Sequence, residues 1–269
     1  MEQKFDIHNY STCGKRDKNE DAYNIITNIN NKNKSLAPIN FFSIFDGHGG
    51  KGISKILSDV MPKIFLKKYY KYPLSISYIM KIFQKIQKFL KTKYSKHSTH
   101  SGSTSLNVCM FLSNTDIILQ IINLGDSRCV MCNSKNIAVP LTKDHKPFFP
   151  DEKSRIEKLG GKITYDGDYR IGDLSVSRSF GDVDNEPYIS SIPDVYKYKI
   201  KNDKFIIIAC DGLWDVMSNQ DVVNYILLNY YDSSTNKRIN KRNNIAKQLV
   251  EHAVHLGSTD NITILIIFF

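Results

Sequence analysis

Four short apolar runs follow one another between residues 104 and 141, and only a few polar residues separate each run from the next. Strands joined by turns this short are antiparallel neighbours, because a parallel connection needs a crossover of a dozen or more residues. The turns contain residue types that tight turns favour. The sequence therefore predicts antiparallel strands at Thr104–Leu112, Ile117–Asn123, Cys129–Cys132 and Ile137–Leu141.

Apolar runs of similar length outside this block predict further strands at Ala22–Ile26, Ile39–Phe45, Phe205–Cys210 and Ile262–Phe269. After Gly52 the apolar residues recur with the period of a helix, which predicts helices at Ile53–Phe65, Ile76–Leu90, Lys153–Leu159, Val222–Leu228 and Ile245–Leu256. Helices with a single apolar face need a common surface to cover, and a sheet provides one. Residues 1–20, Asn28–Lys34 and Ser95–Ser101 are polar and are predicted as connecting segments.

A chain of 269 residues with 41% hydrophobic and 24% charged residues is typical of a globular protein. No internal repeat and no linker divides it, so we expect one domain over 1–269, with a loop-rich insertion, here called the flap, over Lys162–Val195. The apolar runs are too short to cross a bilayer, and the N-terminus lacks the apolar segment of a secretory signal. These features predict a cytoplasmic and/or nuclear protein without a membrane anchor.

The formal net charge is +10, which raises the alternative of a nucleic-acid partner. Most of the positive residues are lysines scattered among asparagines, and lysine solvates a surface more than it reads bases. We therefore expect a solvated basic surface and no nucleic-acid partner. A contiguous basic face would favour the alternative.

The five cysteines are spread widely, and only Cys129 and Cys132 form a C-x-x-C pair. A zinc site would need a second pair of ligands. The pair lies in a predicted strand, where residues three apart point to opposite faces. Reduced and mostly buried thiols are the favoured interpretation.

Acidic residues occur at the ends and beginnings of the predicted strands. Asp46 and Asp211 directly follow a strand, and Asp126 comes two residues after one. In antiparallel strands the end of one lies beside the beginning of its neighbour, so acidic residues at strand starts can share the same edge. Asp215 lies one helical turn beyond Asp211. The residues at strand starts are Glu20, Asp21 and Asp260.

Carboxylates brought together in this way raise one another's pKa unless a cation compensates their charge. Oxygen ligands favour hard ions such as Mg²⁺ or Mn²⁺ over zinc. Asp46 is the best candidate to bridge two ions, and Gly47 offers a carbonyl that no side chain obstructs. The alternative for each aspartate taken alone is that it only stabilises a turn, as Asp-Gly pairs commonly do.

The acidic residues belong to motifs that match a known family. From about Cys13 to Phe269 the chain resembles the type 2C metal-dependent protein serine/threonine phosphatases, the PPM class. The matching motifs, in the family's order, are Arg16-x-x-Asn19-Glu20-Asp21-Ala22, Asp46-Gly47-His48-Gly49-Gly50, Ser101-Gly102-Ser103-Thr104, Asn123-Leu124-Gly125-Asp126-Ser127-Arg128, Leu141-Thr142-Lys143-Asp144-His145-Lys146-Pro147, Leu174-Ser175-Val176-Ser177-Arg178-Ser179-Phe180-Gly181-Asp182, Ala209-Cys210-Asp211-Gly212-Leu213-Trp214-Asp215-Val216 and Ser258-Thr259-Asp260-Asn261.

The resemblance implies an α+β fold in which two packed antiparallel sheets are flanked by pairs of helices, an α-β-β-α sandwich. It implies hydrolysis of phosphoserine and phosphothreonine in protein substrates by direct attack of a hydroxide that bridges two Mn²⁺ or Mg²⁺ ions, without a covalent phosphoenzyme. Two ions clamp the phosphoryl oxygens and lower the pKa of the attacking water. We expect phosphoprotein substrates and a monomer.

The resemblance also assigns roles to individual positions. The two ions would be bound by Glu20, Asp46, Gly47, Asp211 and Asp260, with Asp21 and Asn261 supporting these ligands. A weaker third ion would be bound by Asp126 and Asp215, together with Asp211. Arg16 would bind the substrate phosphate through its planar fork of donors, and His48 would be the general acid for the leaving alkoxide.

One segment departs from the family pattern. Between Arg170 and Leu174 the chain has only Ile171-Gly172-Asp173, one residue fewer than is usual. This segment belongs to the flap, so the difference concerns substrate preference rather than the metal ligands. The alternative function from another class is a non-catalytic module that keeps the fold and binds a phosphoprotein or a kinase, and the presence of every predicted ligand argues against it.

Overall fold

The structure is a computed structural model, and it describes residues 5–28, 38–65, 72–232, 234–235, 237–239 and 243–269. The strands are β1 (Asp6–Thr12), β2 (Ala22–Ile26), β3 (Ile39–Phe45), β4 (Gly47–His48), β5 (Gly102–Ser103), β6 (Ser105–Ser113), β7 (Asp116–Leu124), β8 (Arg128–Cys132), β9 (Ala138–Pro140), β10 (Thr164–Tyr165), β11 (Tyr169–Arg170), β12 (Phe180–Gly181), β13 (Asp194–Lys199), β14 (Phe205–Ala209) and β15 (Ile262–Phe268). The helices are α1 (Gly52–Phe65), α2 (Ile76–Lys93), α3 (Ser95–Ser98), α4 (Pro150–Lys158), α5 (Asp211–Trp214), α6 (Asn219–Tyr230) and α7 (Ile245–His255), and Val183–Asn185 forms a 3-10 turn.

Two five-stranded sheets dominate the fold. The first has the order β1-β15-β14-β8-β9, and the second has the order β13-β7-β6-β3-β2. Every pairing within them is antiparallel, as the short turns predicted. The block of strands between residues 104 and 141 does not form one sheet, however, because β6 and β7 belong to the second sheet and β8 and β9 to the first. The β7–β8 connection at Gly125-Asp126-Ser127 therefore crosses between the sheets, and Gly125 has the positive φ of 106° that this turn requires.

Most of the buried apolar side chains in the described part of the chain form three layers, and a small separate cluster joins Ile156 of α4 to Ile171 and Ile189 of the flap. A middle layer lies between the two sheets and includes Phe42, Val108 and Ile208. An outer layer packs α1 and α2 on the second sheet, and a second outer layer packs α6 and α7 on the first. Strands such as β14 and β15 are buried on both faces, which explains why their sequences are almost entirely apolar rather than alternating. The α-β-β-α sandwich is confirmed.

Several predictions of local structure need correction. The polar segment 1–20 contains β1, which pairs along its whole length with β15. As an edge strand it is covered on only part of its surface and lacks an apolar signature. Asp194–Lys199 is likewise an edge strand, so the flap ends at a strand rather than in a loop. Ser95–Ser98 is one helical turn instead of a loop. All of Asn28–Lys34 except Asn28 lies outside the described residues.

Cys129 and Cys132 point to opposite sides of β8, as predicted. Cys129 lies in the layer between the sheets and Cys132 in the layer beneath α6 and α7. All five cysteines are free thiols. Among the described residues, no helix combines the length and the apolar character that a membrane span requires.

Candidate active site

Three aspartates from three different connections meet at one edge of the sandwich. Asp46 follows β3, Asp126 lies on the crossing from β7 to β8, and Asp211 begins α5 directly after β14 and Cys210. One carboxylate oxygen of each lies within 4.8 Å of the others. The strand-end argument predicted this convergence, and the crossing between the sheets explains how Asp126 reaches the other two.

The proximity of these groups is reflected in their protonation. Burial raises the pKa of Asp46 well above its ordinary value, and the negative charges of Asp211, Asp21 and Asp126 raise it further. Burial and the charge of Asp126 likewise raise the pKa of Asp211. Asp126 is almost fully buried, and its Oδ1 has no hydrogen-bond donor among the described residues. A donor set made of oxygens, with excess negative charge and unused lone pairs, fits a hard divalent cation.

Glu20 and Asp21 approach this cluster from the start of β2. Hydrogen bonds hold both the backbone and the side chain of Glu20. Its N–H donates to Asn261 Oδ1 at 2.7 Å, and its Oε2 accepts from the Gly50 N–H at 2.9 Å. Asp21 lies behind the cluster, where Thr263 donates to its Oδ2 at 2.6 Å. Burial raises the pKa of Asp21 to about 6. Asn261 thus joins the beginning of β15 to the beginning of β2.

Gly47 is closely enclosed. A Cβ at this position would lie 2.5 Å from the Glu20 carbonyl oxygen and 2.9 Å from the Ser54 hydroxyl. Any side chain would therefore push the start of β2 away from the cluster. The sequence predicted an unobstructed carbonyl at Gly47, and the structure adds that the residue must be small so that Glu20 and Asp46 stay close together.

Asp260 and Arg16 form an ion pair at the same edge, with Arg16 Nη2 at 2.9 Å from Asp260 Oδ2. Arg16 Nε also donates to the Thr259 carbonyl at 3.3 Å, while Nη1 has no hydrogen-bond partner among the described residues. Three-fifths of the Arg16 side chain is exposed. The guanidinium is therefore held beside the carboxylates and still faces solvent.

Lys146 contributes a positive charge inside the cluster that we did not predict. Its ammonium contacts Asp126 Oδ2 directly and lies 3.7 Å from Asp211 Oδ2, with only 13% of the side chain exposed. Burial by itself would lower the pKa of Lys146, but the charges of Asp126, Asp211 and Asp215 outweigh it and raise the pKa. Burial raises the pKa of Asp215, and Lys146 acts in the opposite direction. Lys146 belongs to a matched motif, yet only the tertiary structure shows which carboxylates it meets.

His48 is held by a partner that the sequence did not reveal. Its Nε2 lies 2.8 and 2.9 Å from the two oxygens of Asp182, a carboxylate that is itself buried. Burial would lower the pKa of His48, but the hydrogen bond and the charge of Asp182 raise it above its ordinary value. The contact requires Gly102, since a Cβ there would lie 2.0 Å from Asp182 and 2.5 Å from His48 Nε2. The small sheet β12-β5-β4 brings the three residues together.

One open cleft of about 800 Å³ connects these groups. Asp21 lies behind its floor and does not line it. The structure thus gathers every residue that we predicted for the site, and their roles remain predictions. Asp168 and Arg170 of the flap form part of the wall. The predicted residues that line the cleft are Arg16, Glu20, Asp46, Gly47, His48, Asp126, Asp211, Asp215, Asp260 and Asn261.

Comparisons with known proteins match the chain over nearly its whole length. The family described as Protein phosphatase 2C matches residues 5–262. A PP2C-like domain-containing protein of Acanthamoeba polyphaga mimivirus is 45% identical over 169 residues, which cover 56% of this chain and 94% of that protein. Protein phosphatase 1L of Bos taurus is 31% identical over 279 aligned positions, covering 99% of this chain and 74% of the relative. The crystal structure of serine-threonine phosphatase 2C from Toxoplasma gondii superposes with a TM-score of 0.76 at 25% identity, covering 98% of this chain and 95% of that chain.

Proposed function

The chain belongs to the protein phosphatase 2C family of metal-dependent protein serine/threonine phosphatases, and from that premise we propose that it hydrolyses phosphoserine and phosphothreonine by direct attack of an activated water, without a covalent phosphoenzyme. The observation that supports this most directly is the convergence of Asp46, Asp126 and Asp211 in a cleft that Arg16 and His48 also line.

Two divalent ions, Mn²⁺ or Mg²⁺, would be bound by the carboxylates of Glu20, Asp46, Asp211 and Asp260 and the carbonyl of Gly47. Asp126 and Asp215, with Asp211, would bind a third ion more weakly, because Lys146 already neutralises part of their charge. Asp21 and Asn261 would hold the ligands in position. When bound, the ions supply Lewis acidity that lowers the pKa of a water molecule and neutralises the phosphoryl oxygens.

Arg16 would orient the substrate phosphate. Two of its donors are occupied by Asp260 and the Thr259 carbonyl, which aligns the guanidinium plane with the carboxylate edge. Its free Nη1 donor can then bind a phosphate oxygen with the geometry of a charge-assisted hydrogen bond.

His48 would donate a proton to the leaving serine or threonine oxygen. Asp182 occupies Nε2, and Nδ1 has no hydrogen-bond partner among the described residues, so Nδ1–H is the donor available to the substrate. A carboxylate on one ring nitrogen stabilises the imidazolium and so keeps the second nitrogen protonated near neutral pH.

The test is hydrolysis of a phosphothreonine peptide with and without Mn²⁺, using Asp46→Ala and a matched control. The control is Asp116→Ala. Asp116 lies at the start of β7, at the end of the strand away from the cleft, and its surface carboxylate pairs with Lys199 of β13. We expect Asp46→Ala to lose activity by at least about a thousandfold, since metal catalysis supplies several kcal/mol. Its metal-free form should melt no lower than the wild type, because Asp46 is surrounded by like charges.

Equal wild-type turnover in EDTA and in Mn²⁺ would contradict metal dependence. Full activity of Asp46→Ala would contradict its role as a ligand. The Asp116→Ala protein should behave as the wild type in both assays, since exposed ion pairs contribute little to stability.

A further inference from the structure

Two tyrosines of the flap and two phenylalanines just before α4 form a row of aromatic rings. The ribbon of β10 and β11 pairs Tyr165 with Tyr169, and their ring centroids lie 5.0 Å apart. Tyr169 lies 5.5 Å from Phe148, and Phe148 lies 4.6 Å from Phe149. We call these four residues the aromatic row. Its members come from two separate segments of the chain, so the row is a product of tertiary structure.

Three of the four rings in the aromatic row are exposed, and Phe149 is half-buried. The exposed fractions are 68% for Tyr165, 44% for Tyr169 and 41% for Phe148. Neither tyrosine hydroxyl has a hydrogen-bond partner among the described residues. Single exposed apolar residues are common, whereas contiguous aromatic surface is characteristic of binding sites.

The aromatic row adjoins the cleft without lining it. Asp168 and Arg170, the residues on either side of Tyr169, line the cleft. On the other segment, Phe148 lies two residues beyond Lys146, which also lines it. Alternation along the ribbon places Arg170 and Tyr169 on opposite faces. The ribbon is therefore one wall of the cleft, and a peptide that leaves the cleft across this wall meets the rings.

We propose that the aromatic row binds an aromatic or large aliphatic side chain of the phosphoprotein substrate, a few residues away from the phosphorylated one. This inference rests on the proposed phosphatase function and specifies the substrate class. The occupant is a substrate segment because the rings lie on the outer face of the ribbon whose inner face lines the cleft proposed to hold the phosphate. Tyrosine suits this task because its ring offers rigid apolar area and its hydroxyl can bind the peptide backbone.

The experiment measures kcat and KM for a set of phosphothreonine peptides in which one phenylalanine is moved through the positions flanking the phosphothreonine in an otherwise alanine-rich sequence. A small aryl phosphate serves as the substrate without flanking residues. The variant is Tyr165→Thr with Tyr169→Thr, because threonine keeps the preference for a strand while removing the ring. The control is Leu228→Ser, which removes an exposed apolar side chain on α6.

We expect the wild type to prefer phenylalanine at one offset by about tenfold, mainly through KM, which is the effect of burying part of one aromatic ring. The double variant should reduce that preference to less than about twofold and hydrolyse the aryl phosphate as the wild type does. Leu228→Ser should keep the preference.

A wild type that hydrolyses all peptides equally well overturns the inference and leaves the phosphatase function standing. So does a double variant that retains the preference. Equal losses of the variant on peptides and on the aryl phosphate also overturn it, because the rings would then only support the ribbon. No hydrolysis of any substrate by the wild type in Mn²⁺ overturns the proposed function and the inference with it.

Discussion

Lys146→Met tests whether the buried ammonium is the internal counter-ion of the carboxylate cluster. Methionine resembles the unbranched apolar stem of lysine and lacks the terminal ammonium group. Lys146 contacts Asp126, which is almost fully buried, and lies 3.7 Å from Asp211 Oδ2. In the metal-free protein the substitution leaves the charge of Asp126 without a compensating cation.

The magnitude follows from this geometry. Two unit charges about 4 Å apart attract by roughly 4 kcal/mol at an effective dielectric constant of about 20, and the Lys146–Asp126 contact is closer than that. Removing one partner of a buried pair costs about 3–5 kcal/mol. For 269 residues the unfolding entropy is about 0.6 kcal/mol/K, so the melting temperature should fall by roughly 5–9 °C.

Added Mn²⁺ should reverse most of this loss. Without the ammonium, Asp126, Asp211 and Asp215 present their full negative charge to a third ion, so its affinity should rise by at least about tenfold. The assay is calorimetric melting in EDTA and along an Mn²⁺ titration, with bound Mn²⁺ counted independently by electron paramagnetic resonance. The matched control is Lys143→Met, whose pair with Asp151 is exposed and should contribute less than about 1 kcal/mol.

Two results would refute the reasoning. One is a metal-free Lys146→Met protein that melts within about 2 °C of the wild type. The other is a variant that binds the same number of Mn²⁺ ions with the same affinity as the wild type, because the ammonium would then have no influence on the third site.

The remaining predictions concern the general acid and acid stability. His48→Ala should lower kcat about a hundredfold for a phosphoserine peptide and much less for an aryl phosphate, whose leaving group needs no proton. Asp182→Asn should show the same pattern more weakly. Equal losses of kcat on both substrates would exclude the general-acid role of His48. Glu152 is buried, which would raise its pKa, but hydrogen bonds and charge from Arg178 and Arg155 outweigh burial and lower the pKa to about 2. Because the folded-state pKa is depressed, this stabilisation is present above about pH 4.5 and is lost as the pH falls towards 2. Glu152→Gln should therefore cost about 3 kcal/mol in urea unfolding at pH 7, and a cost that stayed constant down to pH 2.5 would contradict the assignment.

The elements that could be predicted from the sequence are those whose burial produces a local pattern of apolar residues. Strands β3, β14 and β15 are mostly apolar because both faces are covered. Helices α1, α2 and α7 repeat apolar residues at the helical period. The acidic residues of the site could be found for the same reason. They sit where these recognisable strands start and stop, so predicting the strands located the carboxylates.

The parts that could not be predicted depend on pairings between distant segments. Strands β1 and β13 are edge strands with mixed composition, and hydrogen bonds to a neighbour define them more than apolar periodicity does. The same limit applies within the site. Lys146 and Asp182 lie in recognisable motifs, but their roles depend on which distant residue each one meets, and the two tyrosines of the aromatic row lack any local signal that their rings are exposed.

The carboxylate cluster also explains why the positively charged side chains of Lys146 and Arg16 lie at this edge of the fold. The sandwich brings strand ends from both sheets to one edge, and each aspartate there raises the pKa of its neighbours, which opposes folding. Lys146 offsets this cost at Asp126 and Asp211, and Arg16 offsets it at Asp260. No comparable cation among the described residues contacts Asp46, which lies between these two pairs. Asp46, the residue predicted to bridge two divalent ions, thus has no ion-pair partner among the described residues, and bound metal would relieve part of the electrostatic cost of folding there.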